Sequence, residues 1–479
     1  MSLKVYNTLT RQKEVFIPLV EGEVGIYVCG VTPYNHPHIG NARPFVTWDV
    51  IRRYFQKKGY KVKYIQNFTD VDDKIIRTAN AEGVKWSDIS QRYIASYFEV
   101  MDKLNVKRAD NYPTVSEHMD DIIKIIETLI AKGFAYVVEG DVYYSVNKFE
   151  HYGKLSGRNL EDMKAGARVD VDERKEHPMD FALWKSAKPG EPSWKSPWGE
   201  GRPGWHIECS AMSLKYLGES FDFHGGGSDL IFPHHENEIA QSEACTGCDS
   251  FVRYWLHNGF ITVNEEKMSK SLDNFFLVKD ILEKYNAEVL RYFIIETHYR
   301  SPLDFSDERL NEAGRSLERL KTALFNCQEL SKQSQGVESD LSLKLKDFAV
   351  KAEADFDKAM DDDFNTALAL ASMFALAKEI NVYYTAVNSG KITHDIEAYE
   401  VAKTVYCGMA EVLGILVNAV EGKVDSSEKL VTDLMNLIIT LRQTARQNKD
   451  WTTADKIRDE LNAIGITLED SSTGVRWKL

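Results

Sequence analysis

Two short segments carry side chains suited to binding phosphate groups. The first is Pro37–Asn41 (PHIGN), which follows a β-type run and opens a predicted helix. The free N–H groups and the positive dipole end of a helix N-terminus suit a phosphate. His38 and Asn41 lie one turn apart and could both donate hydrogen bonds to a phosphate oxygen, while Gly40 lets a ligand approach the backbone. By itself this pattern is more often a simple turn.

The second segment, KMSKS, contains Lys267 and Lys270. Two lysines three positions apart could converge on a triphosphate. Most short Lys/Ser runs, however, are solvated basic turns, so this segment also leaves two interpretations open.

A glycine run provides a third candidate, Gly225–Gly227 followed by Asp229, at the end of the strand-like segment FDFHGGG. Doubly wound sheets bind ligands at the carboxyl ends of their strands. Gly227 would admit the ligand, and Asp229 could accept hydrogen bonds from a ribose. The glycines could equally do no more than turn the chain.

Four further residues are of types that bind metal ions: Cys29, Cys209, His234 and Glu238. His234 and Glu238, four positions apart, share one helix face, and thiolate, imidazole and carboxylate groups all suit Zn²⁺. Spacing alone does not pair the two distant cysteines. The residues alone slightly favour another interpretation, in which two buried cysteines and an exposed polar helix start have no metal.

The remaining cysteines give no second metal site. Cys245 and Cys248 form a C-x-x-C pair, but Cys327 and Cys407 are single and distant, so no second pair completes it. We interpret the C-x-x-C pair as structural or incidental. Six cysteines in 479 residues indicate thiols rather than a disulfide scaffold.

An α/β scaffold is needed to position these residues. Val24–Val28 and Lys61–Phe68 have strand character, and Arg43–Gly59 between them has helical apolar spacing. Strand, helix and strand in this order predict a doubly wound parallel sheet of the Rossmann type. A second half of the sheet is predicted around Trp205–Val263. Lys188–Gly204 holds four of the chain's twelve prolines and is predicted to be a loop.

The expected domain organisation follows from these patterns and from polar connectors near residues 331–340 and 421–428. The sheet domain is split by an insertion, and a helical bundle and a small C-terminal module follow it. The predicted ranges are 1–112 and 205–263 for the two sheet halves, 113–204 for the insertion, 264–310 for the region around the KMSKS segment, 311–425 for the bundle and 426–479 for the module.

Composition narrows the class of protein. Hydrophobic residues make up 43% and charged residues 28% of the chain, as in soluble globular proteins. The net charge of −14 argues against a general DNA-coating protein. No apolar run reaches the ~18 residues of a membrane span, and the N-terminus lacks a secretory apolar region. We therefore expect a cytoplasmic protein that binds neither DNA nor membranes.

Taken together, the PHIGN, glycine and KMSKS segments resemble the class I aminoacyl-tRNA synthetases, whose signatures are His-x-Gly-His and Lys-Met-Ser-Lys-Ser. Asn41 stands where the family has its final His, and an amide N–H can also donate a hydrogen bond. More specifically, the chain resembles the cysteinyl-tRNA synthetases over nearly its whole length. The segments that carry this resemblance are Val28–Tyr34, Asn67–Lys74, Gly204–Met212, His224–Glu238, Met360–Asn365, Ala454–Asp455 and Gly465–Asp470.

The resemblance implies a two-step reaction. ATP and L-cysteine give cysteinyl-adenylate, and the cysteinyl group then passes to the 3′-terminal ribose of tRNA(Cys). His38, Asn41, Lys267 and Lys270 would act on the phosphates, with Mg²⁺ accompanying ATP. The other implied ligands are one Zn²⁺ at Cys29, Cys209, His234 and Glu238; ATP at His38, Gly40, Asn41, Gly227, Asp229 and Lys270; and cysteine at Gly30, Thr69 and Trp205.

The resemblance also places the anticodon at Arg446, Trp451 and Asp455, in a C-terminal stretch that is locally basic, and implies a monomer. Without it, Trp451 could simply pack on the bundle. Two alternatives remain open: a cysteine ligase of mycothiol synthesis, which passes cysteine to an amino sugar, and a non-catalytic paralogue that binds zinc and tRNA.

Overall fold

The computed structural model describes residues 2–158, 173–263, 266–267, 275–331, 335–416, 426–471 and 474–478. The chain forms two compact units. The first comprises Met1–Leu317, Asp355–Leu370 and Val412–Ile415, and the second comprises Glu318–Ala354, Ala371–Glu411 and Leu416–Leu479. Lys270 and the other residues between 268 and 274 lie outside the described residues.

Strands and helices alternate through most of the described part of the first unit. Its strands are β1 (Lys4–Asn7), β2 (Gln12–Val15), β3 (Glu23–Val31), β4 (Lys61–Phe68), β5 (Ala135–Val138), β6 (Asp141–Tyr144), β7 (Phe181–Ser186), β8 (Trp194–Ser196), β9 (Gly199–Pro203), β10 (Phe221–Gly227), β11 (Val252–Asn258), β12 (Ile261–Val263), β13 (Glu266–Lys267) and β14 (Leu303–Asp304). Its helices are α1 (Ile39–Lys57), α2 (Asp73–Glu82), α3 (Trp86–Lys103), α4 (Met119–Ala131), α5 (Trp205–Leu217), α6 (Glu236–Thr246), α7 (Val278–Leu282) and α8 (Ala287–Ile295).

The central sheet has the strand order β11-β10-β3-β4, and every pairing in it is parallel. β3 and β4 are joined through α1, and β10 and β11 through α6. The prediction of a doubly wound parallel sheet in two halves is thus confirmed. The order of strands reverses between β3 and β10, so the carboxyl ends of these two strands form the crevice where such sheets bind ligands.

Arg43 on α1 fixes the chain that follows this sheet. Its guanidinium is buried and donates hydrogen bonds to the carbonyls of Gly259, Phe260 and Tyr299 at 2.8, 2.9 and 3.2 Å. Because a buried cation needs several acceptors, this fan of carbonyls holds the segment after β11 against α1. β12 begins at Ile261, so Arg43 ties α1 to the chain that leads toward the KMSKS segment.

The insertion contains an antiparallel sheet with the order β5-β6-β7-β9-β8. The prediction of a loop over Lys188–Gly204 is wrong, because β8 and β9 form a hairpin there. The glycines allow a close approach that sequence composition does not reveal. A side chain at Gly201 would place its Cβ 2.3 Å from Nε1 of Trp184, and Pro203, which has no N–H to donate, ends the strand.

Helices dominate from Asp307 to the C-terminal hairpin. They are α9 (Asp307–Leu330), α10 (Asp340–Met360), α11 (Thr366–Asn388), α12 (Ile396–Leu413), α13 (Ser426–Gln447) and α14 (Trp451–Ala463), followed by β15 (Thr467–Ser471) and β16 (Gly474–Lys478). Inside the second unit, Tyr406 donates a hydrogen bond to the carbonyl of Leu320 at 2.9 Å. The side chain of Asp450 caps α14 through the N–H of Thr453. No helix in the described ranges combines the length and apolar character needed to cross a membrane.

Candidate active site

The four candidate metal ligands meet at the crevice of the central sheet. Ligand atoms of Cys29, Cys209, His234 and Glu238 all lie within 4.8 Å of one another, and all four residues are buried. The two sulfurs are 3.7 Å apart, and Nε2 of His234 lies 3.1 Å from Oε1 of Glu238. Two thiolates on one tetrahedral zinc, each at ~2.3 Å, are separated by about 3.8 Å. The donor set and its spacing therefore fit a zinc ion.

The backbone at the end of β3 brings Cys29 to this cluster. The pairing of β3 with β4 shifts register between Val28 and Val31. The N–H of Gly30 donates to Oδ1 of Asn67 at 2.8 Å, and a Cβ at position 30 would lie 1.5 Å from the Asn67 carbonyl oxygen. Only glycine fits here, so Gly30 shapes the irregularity that carries Cys29.

Two histidines orient the other ligands. Nδ1 of His206 lies 3.0 Å from Nδ1 of His234, and Nε2 of His224 lies 2.8 Å from Oε2 of Glu238. His224 is itself stacked on Trp255, with ring centroids 4.6 Å apart. Such outer contacts fix ligand orientation and raise metal affinity.

Besides Gly30, two more of the three residues predicted to contact the amino acid lie beside the cluster. Trp205, the first residue of α5, is 43% exposed, and its ring centroid lies 4.3 Å from that of His234. The hydroxyl of Thr69 donates to Oε2 of Glu208 at 2.9 Å. Burial raises the pKa of Glu208 well above its ordinary value. The partly exposed ring of Trp205 thus lies next to the candidate ligand His234. The hydrogen bond to Glu208 holds the hydroxyl of Thr69 in place.

The PHIGN segment forms the N-terminus of α1, as the sequence predicts. His38 is the N-cap residue, and its N–H donates to Oδ1 of Asn41 at 3.2 Å. Since the oxygen of Asn41 accepts this bond, Asn41 offers a ligand its N–H donors. Gly40 follows Ile39 in the first turn.

Described residues flank the KMSKS segment on both sides, while its residues 268–271 lie outside the described residues. Lys267 is in β13 and pairs with Thr262 of β12. Beyond the segment, Leu277 forms a β-bridge with His38, and the N–H of Val278 donates to the carbonyl of Pro37 at 2.9 Å. The chain that follows the KMSKS segment is therefore joined through its backbone to the PHIGN segment at Leu277 and Val278.

The glycine run does more than turn the chain. A Cβ at Gly225 would lie 1.9 Å from the ring of Trp48 on α1, so this glycine lets the helix pack on the sheet. A Cβ at Gly227 would lie 2.3 Å from Oδ1 of Asp229. Gly227 thus leaves room for the carboxylate of Asp229, which is exposed at the end of β10.

Comparison with known proteins decides the family. A family model for the class I (C) catalytic domain of tRNA synthetases matches residues 15–315. A DALR domain matches residues 355–417, and a cysteinyl-tRNA ligase anticodon binding domain matches residues 432–477. The cysteine–tRNA ligase of Pelotomaculum thermopropionicum is 57% identical, with 99% of each chain covered, and that of Carboxydothermus hydrogenoformans is 55% identical, with 99% of this chain and 100% of the relative covered. The chain belongs to the cysteine–tRNA ligase family.

Solved structures agree on the fold of this cysteine–tRNA ligase family member. The methionyl-tRNA synthetase of Mycobacterium tuberculosis, in complex with methionyl-adenylate, superposes with a TM-score of 0.60 at 16% identity. It covers 86% of this chain and 93% of its own. A putative arginyl-tRNA synthetase of Campylobacter jejuni gives 0.56 at 14% identity, covering 82% and 93%. The class I synthetase fold predicted from the sequence is confirmed.

The buried side chains of the cluster in this ligase family member shift one another's pKa values. A hydrogen bond from Cys29 lowers the pKa of Cys209 to about 6, while burial raises the pKa of Cys29. Burial favours neutral His234, but its hydrogen bonds to Cys209 and Glu238 prevail and raise its pKa to about 10. Burial also opposes ionisation of Glu238, yet His224 and His234 bring its pKa down to about 2. These shifts favour the ionised forms of Cys209 and Glu238, in which both side chains bind a divalent cation.

Sequence reasoning missed the histidines around the cluster. His235 lies 3.3 Å from the sulfur of Cys29, and its Nδ1 lies 2.8 Å from Nε2 of His257. Cys29, His224, His235 and Glu238 form a second metal-compatible set that shares two residues with the first. The sequence carried one signal of this histidine cluster: five of the chain's twelve histidines fall between positions 206 and 257.

The C-x-x-C pair lies apart from both metal-compatible sets found among the described residues. The thiol of Cys248 donates to the carbonyl of Glu219 at 3.6 Å, and Cys245 is partly buried.

In the C-terminal module, Trp451 and Asp455 share one face of α14, and Arg446 lies near the end of α13. Trp451 is 57% exposed, so its ring does not serve as core packing. Asp455 pairs with Arg458 at 3.2 Å.

Proposed function

We propose that this chain activates L-cysteine with ATP and transfers the cysteinyl group to the 3′-terminal ribose of tRNA(Cys). The observation that carries the proposal is the cluster of Cys29, Cys209, His234 and Glu238 in the same crevice as Asp229 and the His38 helix end. A thiol-selective site beside a nucleotide site is what cysteine activation needs. The match to a cysteinyl-tRNA ligase anticodon binding domain supports tRNA, rather than an amino sugar, as the acceptor.

Selection of cysteine over serine is the demanding part of this reaction. A plain pocket separates such near-isosteres only ~10²-fold. Zinc held by Cys29, Cys209, His234 and Glu238 would supply a centre that binds the substrate thiolate and binds a neutral hydroxyl poorly. Thr69, Gly30 and Trp205 would surround the rest of the amino acid, and no editing site is required.

In the activation step, the carboxylate oxygen of cysteine attacks the α-phosphorus of ATP, and pyrophosphate leaves. The bond to the β-phosphate breaks as the mixed anhydride forms, so positioning and charge neutralisation suffice. His38 and Asn41 donate to the phosphate oxygens at the positive end of α1. Lys267 and Lys270 would neutralise the β- and γ-phosphates, and Mg²⁺ would supply further positive charge there when bound. Gly40 and Gly227 would leave space for the nucleotide. Asp229 would accept a hydrogen bond from a ribose hydroxyl.

In the transfer step, the terminal 2′-hydroxyl of tRNA attacks the carbonyl carbon of the adenylate, and AMP leaves. Arg446, Trp451 and Asp455 would contact the anticodon. We propose that the enzyme is a cytoplasmic monomer with the division of labour expected from the sequence. In that division, 1–112 and 205–263 bind the nucleotide and 113–204 connects them. Residues 264–310 form the signature-loop and stem-contact region, 311–425 form the helical bundle, and 426–479 recognise the anticodon.

The direct test is ATP–pyrophosphate exchange with each amino acid, followed by charging of total tRNA. We expect exchange that depends on cysteine and charging of tRNA(Cys). Exchange without charging, but with transfer of cysteine to an amino sugar, would favour the mycothiol-type ligase. Absence of exchange from zinc-loaded protein would favour a non-catalytic binder.

Replacement of Trp451 should separate the two steps. If this exposed ring stacks on an anticodon base, Trp451→Ala costs ~1–3 kcal/mol of tRNA recognition, a drop of about 5- to 150-fold in charging efficiency. Cysteine-dependent exchange should persist. Ile464→Ala is a matched control, because Ile464 is 70% exposed in the same module and cannot stack in this way. Loss of both activities in Trp451→Ala would instead mark a folding residue.

Replacement of His224, which contacts Glu238 but is not one of the four proposed zinc ligands, should weaken the metal site. His224→Leu takes away the bond to Glu238 and should lower zinc affinity about 10- to 100-fold, measured by competition with a chelator. His224→Gln keeps a donor near the carboxylate and should lose less. Unchanged zinc affinity in the leucine variant would show that Glu238 needs no orienting partner.

A further inference from the structure

An open groove of about 620 Å³ lies in the second unit, on the helical bundle. None of the residues that line it belongs to the site described above. The polar and aromatic side chains along it are Arg319 on α9, Phe374, Lys378, Asn381 and Thr385 on α11, and Lys391 just after α11. Leu341, Val382 and Ala386 contribute an apolar floor.

The groove is positively charged in a strongly acidic chain. Three cations line it, no acidic side chain does, and the whole protein carries −14. Within the described part of the chain, Arg319, Lys378 and Lys391 form no ion pair. Other lysines of the same bundle do, for example Lys344 with Glu379 at 2.8 Å and Lys403 with Glu400 at 3.5 Å. The cations around the groove thus keep their charge available for a ligand.

The charges are distributed along the groove rather than gathered at one point. Phe374, Lys378, Asn381 and Thr385 follow the i, i+4, i+7, i+11 spacing of one helix face, which spans about 16 Å. Lys391 lies beyond the end of α11 at Asn388. A single small anion cannot reach groups spread over this length, whereas successive phosphates of a polymer can.

Neighbouring contacts fix the groups that would bind. The guanidinium of Arg319 lies 5.2 Å from the ring centroid of Phe374, a cation–π contact between two residues that line the groove. Oδ1 of Asn381 accepts a hydrogen bond from Asn326 at 2.8 Å, so Asn381 presents its N–H donors to a ligand. Amide, hydroxyl and cationic donors are the groups that proteins use for phosphate and ribose oxygens.

We propose that this groove binds the sugar–phosphate backbone of the tRNA, a site separate from the anticodon and acceptor-end contacts. This proposal rests on the proposed function, because it takes the acceptor RNA as the occupant. Charge complementarity selects RNA. Lys378 and Lys391 neutralise separate phosphates, Asn381 and Thr385 reach phosphate or 2′-hydroxyl oxygens, and the apolar floor packs against riboses.

The test is the salt dependence of tRNA(Cys) binding by the full-length protein. Each phosphate contact contributes about 0.7–0.9 to the slope of log K against log salt concentration. The double variant Lys378→Ala/Lys391→Ala should therefore lose about 1.4–1.8 of that slope. Both side chains are exposed, and an unchanged midpoint of thermal unfolding would show that the fold is intact.

The matched control is Lys344→Ala/Lys346→Ala, which makes the same change in net charge on the same bundle but removes lysines already paired with Glu379 and Glu397. We expect it to keep the wild-type slope. An equal loss of slope in both double variants, or no loss of slope in Lys378→Ala/Lys391→Ala, overturns the proposal that this groove binds tRNA. If the Lys378→Ala/Lys391→Ala variant loses as much affinity for poly-glutamate as for tRNA(Cys), the groove is not specific for RNA and RNA is overturned as its occupant. Wild-type ATP–pyrophosphate exchange tests the proposed function independently of these outcomes.

Discussion

Lys270→Ala should lower the rate of cysteinyl-adenylate formation by a factor of about 10²–10³, the cost of losing one preorganised charge partner of a transition state. The affinity for cysteine should barely change, because the lysine acts on the phosphates. The backbone supports this expectation, because Leu277, a few residues after the KMSKS segment, forms a β-bridge with His38 at the start of α1. Cysteine-dependent ATP–pyrophosphate exchange measures the rate.

Lys279→Ala is the matched control for this change. Lys279 is exposed on α7, a short distance along the chain, and its loss alters the net charge equally. We expect near wild-type exchange in this variant. Wild-type exchange in Lys270→Ala itself would remove the lysine from the mechanism, and an equal defect in both variants would indicate a general electrostatic effect.

Cys209→Ser should lose metal and cysteine selectivity together. Serine at this position removes the thiol whose pKa is lowered to about 6, and a neutral hydroxyl is a poor zinc ligand. We expect the wild-type protein to carry one Zn²⁺ per chain and the variant to carry far less. Discrimination against serine should fall toward the ~10²-fold limit of a pocket without thiolate binding.

Elemental analysis and exchange assays with cysteine and serine measure both effects. Cys245→Ser provides the control, because this thiol lies outside both metal-compatible sets among the described residues, and it should leave zinc content and selectivity intact. Active wild-type protein without zinc would overturn the metal assignment. Two zinc ions per chain would bring the C-x-x-C pair back as a site.

Local patterns in the sequence determined much of the first unit. Strand β4 begins and ends at the predicted residues Lys61 and Phe68, and α1 overlaps the predicted helix, because apolar periodicity directly reflects burial against one sheet. The same reasoning failed at β8 and β9. There Gly201 of β9 packs closely against Trp184 of β7, a different strand. Glycine and proline content does not reveal this contact and therefore suggested a loop.

The family resemblance named the four metal candidates, but the residues themselves could not bring Cys29 to Cys209. That pairing arises only because β3 and β10 are neighbours in the sheet, so the end of β3 meets α5 and the start of α6. The supporting histidines His206, His224 and His235 were hidden for the same reason. Each has an ordinary local context, and its role depends on partners supplied by other elements. The sequence by itself determined which residue types and local elements are present. The tertiary structure decided which of them share a desolvated crevice, because strand order, close glycine contacts and buried hydrogen bonds depend on residues far apart along the chain.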